Sequence, residues 1–217
     1  MRLCVLISGN GSNLQALIDA REQGRIKLDI VNVISNRADA RGLERADRAG
    51  IPTTILEHQG FADRDDFDRA LAVLISAGKP DFVMLAGFMR IIGSGVLDHF
   101  QGRIINLHPS LLPLYRGTDT YQRALDAGDS EHGASIHFVT GELDGGPVIS
   151  QVRIPVLPGE NKDRLAARLA PMEHRLVVAT VKFITRHRVE CRNTEVFVDE
   201  SRLSRPLQLQ ADDTLSR

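Results

Sequence analysis

LCVLISGNGSN, residues 3–13, decides the fold class of this 217-residue chain. Its first five residues, Leu3–Ile7, are all apolar, which is typical of a strand buried on both faces of a sheet. A turn containing Gly9 and Gly11 follows, and apolar residues then recur at helical spacing from Leu14. The stretch therefore predicts a buried strand, a glycine-rich turn and a helix.

This order of elements repeats through the first half of the chain. Apolar runs predict four further strands, at Ile30–Ile34, Thr53–Leu56, Phe82–Ala86 and Arg103–Asn106. Helices are predicted over Arg41–Ala49 and over Asp63–Ala77, where Phe67, Leu71 and Leu74 share one face. Strands that alternate with helices and are apolar throughout indicate an α/β fold. We expect a Rossmann-like, open and mostly parallel sheet with helices on both faces.

The second half adds a glycine-rich loop between two strands. Predicted strands at Ser135–Val139 and Pro147–Val156 flank the loop GELDGG, residues 141–146, and a long helix is predicted over Asp163–Arg186. We expect one domain over residues 1–190. The polar residues 191–217 are expected to extend that domain, with at most a short strand around Val196–Val198.

Charge and composition exclude several classes of protein. Lys and Arg total 27 against 28 for Asp and Glu, so the net charge is 27 − 28 = −1. This balance disfavours a nucleic-acid partner. The longest apolar runs, such as the one from Phe82, are far shorter than the roughly 20 residues of a membrane span. There is no pattern of a signal peptide, and Cys4 and Cys191 form no cysteine framework. We expect a soluble, cytoplasmic protein.

The turn between the first strand and the first helix suits a single phosphate. Backbone N–H groups at the start of a helix attract anions, and Ser12 and Asn13 add side-chain donors. Ser12 is also a candidate cap of the helix. The dinucleotide fingerprint fails, because its third glycine would fall at Leu14 and Ser35-Asn36 stand where it requires an acid. A glycine turn that only connects strand to helix remains the alternative.

Asn106, His108 and Asp144 form a candidate catalytic set. Ligands of open α/β sheets bind beyond the carboxyl ends of the strands, where Asn106 and His108 lie at i, i+2 spacing. A carboxylate beside an imidazole orients the ring and favours its protonated form, and the asparagine adds a neutral donor. The set suits attack on a carbonyl carbon. A structural histidine and a turn-forming aspartate are the alternative interpretations.

No metal site is predicted, because His132 and His137 have the wrong spacing for a helical zinc pair and no HExxH motif occurs.

Four stretches resemble the glycinamide ribonucleotide formyltransferase family: VLISGNGSNLQALIDA from Val5, LAGFMRII from Leu85, INLHPSLLP from Ile105 and EHGASIHFVTGELDGGPVI from Glu131. The resemblance covers roughly residues 1–185. It implies the formyltransferase fold, which is Rossmann-like. The implied reaction transfers a formyl group from 10-formyltetrahydrofolate, a co-substrate, to the amine of glycinamide ribonucleotide in purine synthesis. No metal is implied.

The resemblance also implies a role for individual residues. Asn106, His108 and Asp144 match the catalytic residues, and Gly11, Ser12 and Asn13 match the loop that holds the ribonucleotide phosphate. Glu173 matches an acid that contacts the same substrate. Positions matching the folate site are Arg64, Met89, Arg90, Ile91, Ile92 and Asn106. The implied mechanism is direct attack by the amine through a tetrahedral intermediate that the catalytic residues stabilise.

One segment departs from the family pattern. Residues 114–121 read LYRGTDTY, where the family usually has a basic residue and a loop with histidines. Arg116 is the candidate replacement for the missing positive charge. Because the histidines are absent, a pH-dependent ordering of this loop does not follow from the resemblance.

Other functions remain to be weighed against the transferase. A methionyl-tRNA formyltransferase would need a nucleic-acid-binding domain, for which the length and charge leave no room. Formyltetrahydrofolate hydrolase is the nearest enzyme alternative, although it carries a regulatory domain before the catalytic pattern. A non-catalytic folate- or nucleotide-binding module is the alternative from another class. We expect small-molecule partners only, and a monomer or homodimer.

Overall fold

Strands and helices alternate over the first half of the chain, as the apolar runs predict. The elements are β1 (Arg2–Ile7), α1 (Ser12–Glu22), β2 (Asp29–Ser35), α2 (Arg41–Arg48), β3 (Thr53–Ile55), α3 (Arg64–Ala77), β4 (Phe82–Leu85), α4 (Ser94–Leu97) and β5 (Ile104–His108). The computed structural model describes every residue from Met1 to Arg217. Its two compact units are Met1–Asn106 and Leu107–Arg217, so that β5 carries the chain from one unit into the other.

The first unit is built on a parallel sheet. Its strands follow the order β3-β2-β1-β4-β5, and all neighbouring strands are parallel. Leu3–Ile7 of the central β1 are fully buried, which explains why this run is apolar without alternation. The expected α/β class with a mostly parallel sheet is confirmed. Because β1 ends at Ile7, the glycine turn that follows lies at the carboxyl edge of this sheet.

The second unit is built around an antiparallel hairpin and a long helix. Its elements are α5 (Thr120–Asp126), β6 (Glu131–Phe138), β7 (Val148–Pro155), α6 (Lys162–Ile184), β8 (Val189–Arg192), β9 (Glu195–Val198), β10 (Ser201–Arg202), β11 (Leu207–Leu209) and β12 (Leu215–Ser216). Strands β6 and β7 pair antiparallel, and α6 packs against both. Strand β11 pairs parallel with β7 and antiparallel with β12, whereas β8, β9 and β10 form a separate small sheet.

The structure corrects the expectation for the polar end of the chain. In place of at most one short strand, residues beyond 188 form five strands, β8 to β12. Their side chains are mixed, and several are two or three residues long, so periodicity alone does not reveal them. Arg175 of α6 donates to the carbonyls of Gln210 and Ala211, which ties the end of the chain to this helix. The single domain over 1–190 stays a prediction.

Other differences are local. Helix α1 is capped by Gly11 in the left-handed conformation, without a side-chain hydrogen bond, so Ser12 is its first residue rather than its cap. Helix α3 buries Ile75 rather than the expected Leu74. His108 is the last residue of β5 instead of following the strand.

None of the helices combines the length and the apolar content that crossing a lipid bilayer would require.

Candidate active site

His108 is a buried side chain whose two ring nitrogens both face acceptors. Its Nε2 lies 2.9 Å from the carbonyl oxygen of Tyr115, and its Nδ1 lies 3.4 Å from Oδ2 of Asp144. A carbonyl and a carboxylate both accept hydrogen bonds, so a ring protonated on both nitrogens satisfies both partners. The Tyr115 carbonyl and the Asp144 carboxylate therefore hold the ring of His108 from both sides.

Asp144 lies in the loop between β6 and β7, where the chain turns sharply. Its own φ is 47°, and its Oδ2 accepts a hydrogen bond of 2.9 Å from the backbone N–H of Gly117. A Cβ at Gly146 would overlap the carbonyl oxygen of Phe138, so this position requires glycine. The loop sequence thus aims the carboxylate at His108, as the candidate set predicts.

His137 belongs to the same cluster, and the sequence did not assign it there. Its Nε2 lies 3.7 Å from Oδ1 of Asp144, and its ring packs edge-to-face against that of His108. Burial lowers the pKa of His137 to about 4. The ring is therefore neutral at neutral pH, and because Nδ1 lies 2.8 Å from the carbonyl of Phe138, the proton is on Nδ1. We call His108, His137 and Asp144 the imidazole–carboxylate cluster.

One sequence feature points to His137. It interrupts the otherwise apolar end of the strand IHF, directly before the loop that carries the candidate aspartate. A buried imidazole at that place needs a polar neighbour, and Asp144 is the carboxylate that the loop returns to it.

The segment that departs from the family pattern covers the imidazole–carboxylate cluster. Tyr115 has a φ of 54°, accepts from His108 through its carbonyl, and donates through its hydroxyl to Asp129 at 2.6 Å. Arg116 pairs with Glu142, an exposed residue of the β6–β7 loop. The segment is thus anchored to the rest of its unit by both side chains.

Asn106 lies in the same strand as His108, two residues earlier. It pairs in register with Leu85 of the neighbouring β4, and its side chain is half-buried. Both residues lie within β5, Asn106 as its third residue and His108 as its last.

The phosphate-loop candidates lie in the first unit, between β1 and α1. Gly11 has a φ of 69°, and a Cβ built there would lie 2.6 Å from Cα of Gly42, so the loop and α2 are in direct backbone contact. Arg45 of α2, which the sequence interpretation missed, donates to the carbonyl and the side chain of Asn10 at 2.8 and 3.0 Å. Oδ1 of Asn13 is buried without a hydrogen-bond partner. A cation, free helix N–H groups and glycine backbone together suit a phosphate.

Glu173 lies in the middle of α6 in the second unit. The hydroxyl of Tyr121 donates to its Oε1 at 3.3 Å, and the Tyr121 ring packs against that of His132 at 5.2 Å. Burial and the Glu173 carboxylate raise the pKa of Tyr121, so its hydroxyl keeps its proton. Tyr121 is therefore a fixed donor to Glu173.

The positions matching a folate site lie together in the first unit. Nη2 of Arg64 donates to the carbonyl of Ile91 at 3.0 Å, and the Arg90 guanidinium lies 5.0 Å from the centre of the Phe67 ring. Met89 and Ile91 are 77% and 57% exposed, whereas the side chain of Ile92 is buried. Met89 and Ile91 thus expose two apolar side chains on an irregular segment.

Comparison with known proteins places these features in a family. A model of the formyl transferase family matches residues 1–181. Phosphoribosylglycinamide formyltransferase of Escherichia coli K12 is 47% identical over 203 residues, which cover 94% of this chain and 96% of that protein. The chain belongs to the phosphoribosylglycinamide formyltransferases.

Solved structures of this formyltransferase family agree in fold. The Coxiella burnetii phosphoribosylglycinamide formyltransferase superposes with a TM-score of 0.90 at 45% identity, covering 94% of this chain and 96% of that one. Glycinamide ribonucleotide transformylase 1 of Symbiobacterium toebii gives 0.88 at 40% identity, covering 91% and 93%. The family resemblance and the enzyme class expected from the sequence are confirmed.

No group of three or more His, Cys, Asp or Glu side chains is arranged to hold a metal ion.

Proposed function

We propose that the chain transfers a formyl group from 10-formyltetrahydrofolate to the amine of glycinamide ribonucleotide in purine biosynthesis. Family membership supports the reaction class, which implies a folate-derived donor. The single observation that carries the chemistry is His108 held between the Asp144 carboxylate and a backbone carbonyl. The amine attacks the formyl carbon directly, so a new C–N bond forms before the bond to N10 of the folate breaks.

His108 stabilises the oxyanion of the tetrahedral intermediate. Without substrates, the Nε2–H points at the Tyr115 carbonyl. When the substrates bind, this N–H donates to the formyl oxygen instead. A charged donor is worth most where negative charge develops in a site shielded from water. Asn106 adds a neutral donor on the same strand and also contacts the folate.

Asp144 keeps the positive charge on His108 and assists proton transfer. Its Oδ2 is held by Gly117 and faces His108, whereas Oδ1 lies 3.7 Å from Nε2 of His137. A water held by this carboxylate takes the proton from the attacking amine and delivers it to the leaving N10. The overall reaction thus moves one proton from the acceptor to the leaving group.

His137 is neutral in this scheme, for a physical reason. A second imidazolium beside His108 would compete for the single negative charge of Asp144. Its low pKa avoids that competition, because the ring carries no charge at neutral pH.

Each unit contributes its own proposed binding residues. In the first, Gly11, Ser12 and Asn13 hold the ribonucleotide phosphate with Arg45 behind them, and Arg64 and Met89–Ile92 hold the donor. In the second, Glu173 contacts the ribonucleotide. The cytoplasmic location, the absence of nucleic-acid and membrane partners and the monomeric or dimeric state stay predictions.

A donor assay with and without the ribonucleotide tests the proposal. Purified protein is mixed with 10-formyltetrahydrofolate, and release of the deformylated folate is followed by absorbance. We expect product only when glycinamide ribonucleotide is present. Product without the acceptor would identify the hydrolase instead, and no product in either mixture would support a binding module.

A further inference from the structure

Asp68 is a carboxylate at a position where helix α3 otherwise buries apolar side chains. The buried stripe of this helix includes Phe67, Leu71 and Ile75, and Asp68 lies within it with 2% of its side chain exposed. Its ion-pair partner Arg64 lies 3.7 Å from Oδ2. Burial raises the pKa of Asp68, and Arg64 and the backbone N–H of Gly93 oppose that rise. Because an apolar residue would avoid this desolvation, packing alone does not explain the carboxylate.

The carboxylate fills the space that a side chain at Gly93 would need. A Cβ built on Gly93 would overlap Oδ2 of Asp68, and one built on Gly95 would lie 3.3 Å from Cβ of Asp68. Gly93 has a φ of −94°, which any residue adopts, so the glycine is required by the close approach and not by its backbone conformation. Asp68 thus sets how closely the chain after Ile92 packs on α3.

Asp68 also acts through Arg64. The Nε of this arginine faces the carboxylate, while its Nη2 donates to the carbonyl of Ile91 at 3.0 Å. A guanidinium has a planar set of donors, so fixing one edge orients the other. The buried carboxylate therefore fixes the backbone at both 91 and 93.

The other end of the same segment is fixed independently. The N–H of Met89 donates to Oγ of Ser8 at 2.7 Å. Between these anchors, Met89 and Ile91 expose their side chains to solvent. Residues 89–93, the donor segment, thus display an apolar surface on a backbone held at both ends. Such pre-organisation lowers the entropic cost of binding a flat ligand.

We propose that Asp68 is a positioning residue for the formyl donor, holding Arg64 and the donor segment in the geometry that receives the pterin-type heteroaromatic ring. It does not touch the donor itself. The inference rests on the proposed function, in which Arg64 and Met89–Ile92 contact the folate. It adds a residue that acts on donor affinity and leaves the imidazole–carboxylate cluster unchanged.

The test is Asp68→Asn in the full chain, because asparagine keeps the shape and removes the charge. We expect the KM for 10-formyltetrahydrofolate to rise about tenfold, since Arg64 and the donor segment lose their fixed geometry. The KM for glycinamide ribonucleotide and kcat should stay within about twofold of the wild type. Asp66→Asn is the matched control: this exposed carboxylate lies on the same helix and pairs with Arg69. It should leave all three parameters unchanged.

A second variant reaches the same contact from the other side. Gly93→Ala forces the carboxylate away, so it should raise the KM for the donor and not that for the ribonucleotide. It decides the question if Asp68→Asn does not fold. A wild-type KM for the donor in either folded variant overturns the proposal, as does an equal rise of both KM values, which indicates a general structural effect. An inactive wild-type protein would instead contradict the proposed function, and it would do so before any variant is compared.

Discussion

Replacing Asp144 with asparagine should separate the electrostatic role of this residue from its structural role. The substituted side chain would have nearly the same shape, and its oxygen could still accept from the N–H of Gly117, so the loop should keep its position. The change removes the negative charge 3.4 Å from Nδ1 of His108. With an effective dielectric constant of about 20, two unit charges at that distance attract by about 5 kcal/mol.

Part of that attraction is replaced by solvent and by the asparagine dipole. We therefore expect a barrier increase of about 3–4 kcal/mol, similar to the loss of one oxyanion donor, and a fall in kcat of about 10²–10³-fold. Because the carboxylate acts mainly in the transition state, both KM values should change by less than about threefold. Steady-state kinetics with both substrates varied, followed by single-turnover measurements, would test this.

Glu142→Gln is the matched control for this prediction. Glu142 lies in the same loop, is exposed and pairs with Arg116, so its neutralisation should leave kcat within about twofold of the wild type. Our reasoning is refuted if Asp144→Asn keeps kcat within about threefold of the wild type. An equal loss of kcat in both variants would also refute it, because the effect would then come from the loop and not from the charge next to His108.

Three other changes test separate parts of the site. Gly11→Ala should raise the KM for the ribonucleotide about tenfold. Gly24 is the control, because it has the same φ of 69° and no atom lies within 4 Å of a Cβ built there, so Gly24→Ala should lose only about 1 kcal/mol of stability. Equal KM values in both variants would exclude a role of the close backbone contact at Gly11. Tyr121→Phe should raise the same KM about three- to tenfold at unchanged kcat, since Glu173 loses a donor that stays protonated, and an unchanged KM would count against this. His137 has a pKa of about 4 in the folded protein and near 6.5 when unfolded, so as the pH falls through this interval only the unfolded chain takes up a proton. At about 1.4 kcal/mol for each pH unit, the free energy of unfolding should fall by about 3 kcal/mol more in the wild type than in His137→Asn over this interval. Urea unfolding at several pH values measures this, and an equal dependence of the unfolding free energy on pH in both proteins would contradict it.

Where the sequence predicts this protein well, local pattern and tertiary structure agree. The apolar run Leu3–Ile7 indicates a doubly covered strand because its neighbours are also apolar, and β1 is indeed central and buried. His108 and Asp144 could be selected because each follows a strand signal and combines residue types that suit carbonyl chemistry. Their contact at 3.4 Å is consistent with that choice.

What the sequence does not predict depends on partners distant in the chain. Strands β11 and β12 are only three and two residues long. Strand β11 pairs with β7, more than 50 residues earlier, and β12 pairs with β11. Arg45 and Asp68 lie on charged helices and resemble solvated residues until the facing elements are known. His137 is a lone imidazole in a strand, and only the returning loop with Asp144 reveals its neighbour.

Ser8, the residue after β1, contacts both proposed binding segments of the first unit. Its hydroxyl accepts from the N–H of Met89 and donates to Asn36, and the residue begins the loop that contains Gly11. One side chain thus belongs to the backbone framework of both proposed binding segments of the first unit. We expect a ligand that shifts one segment to alter the hydrogen bond of the other, which would couple the two affinities thermodynamically. Such coupling is reciprocal: the factor by which the folate changes ribonucleotide affinity must equal the factor by which the ribonucleotide changes folate affinity. Cooperative binding of the two substrates would then trace to one hydroxyl rather than to two independent pockets.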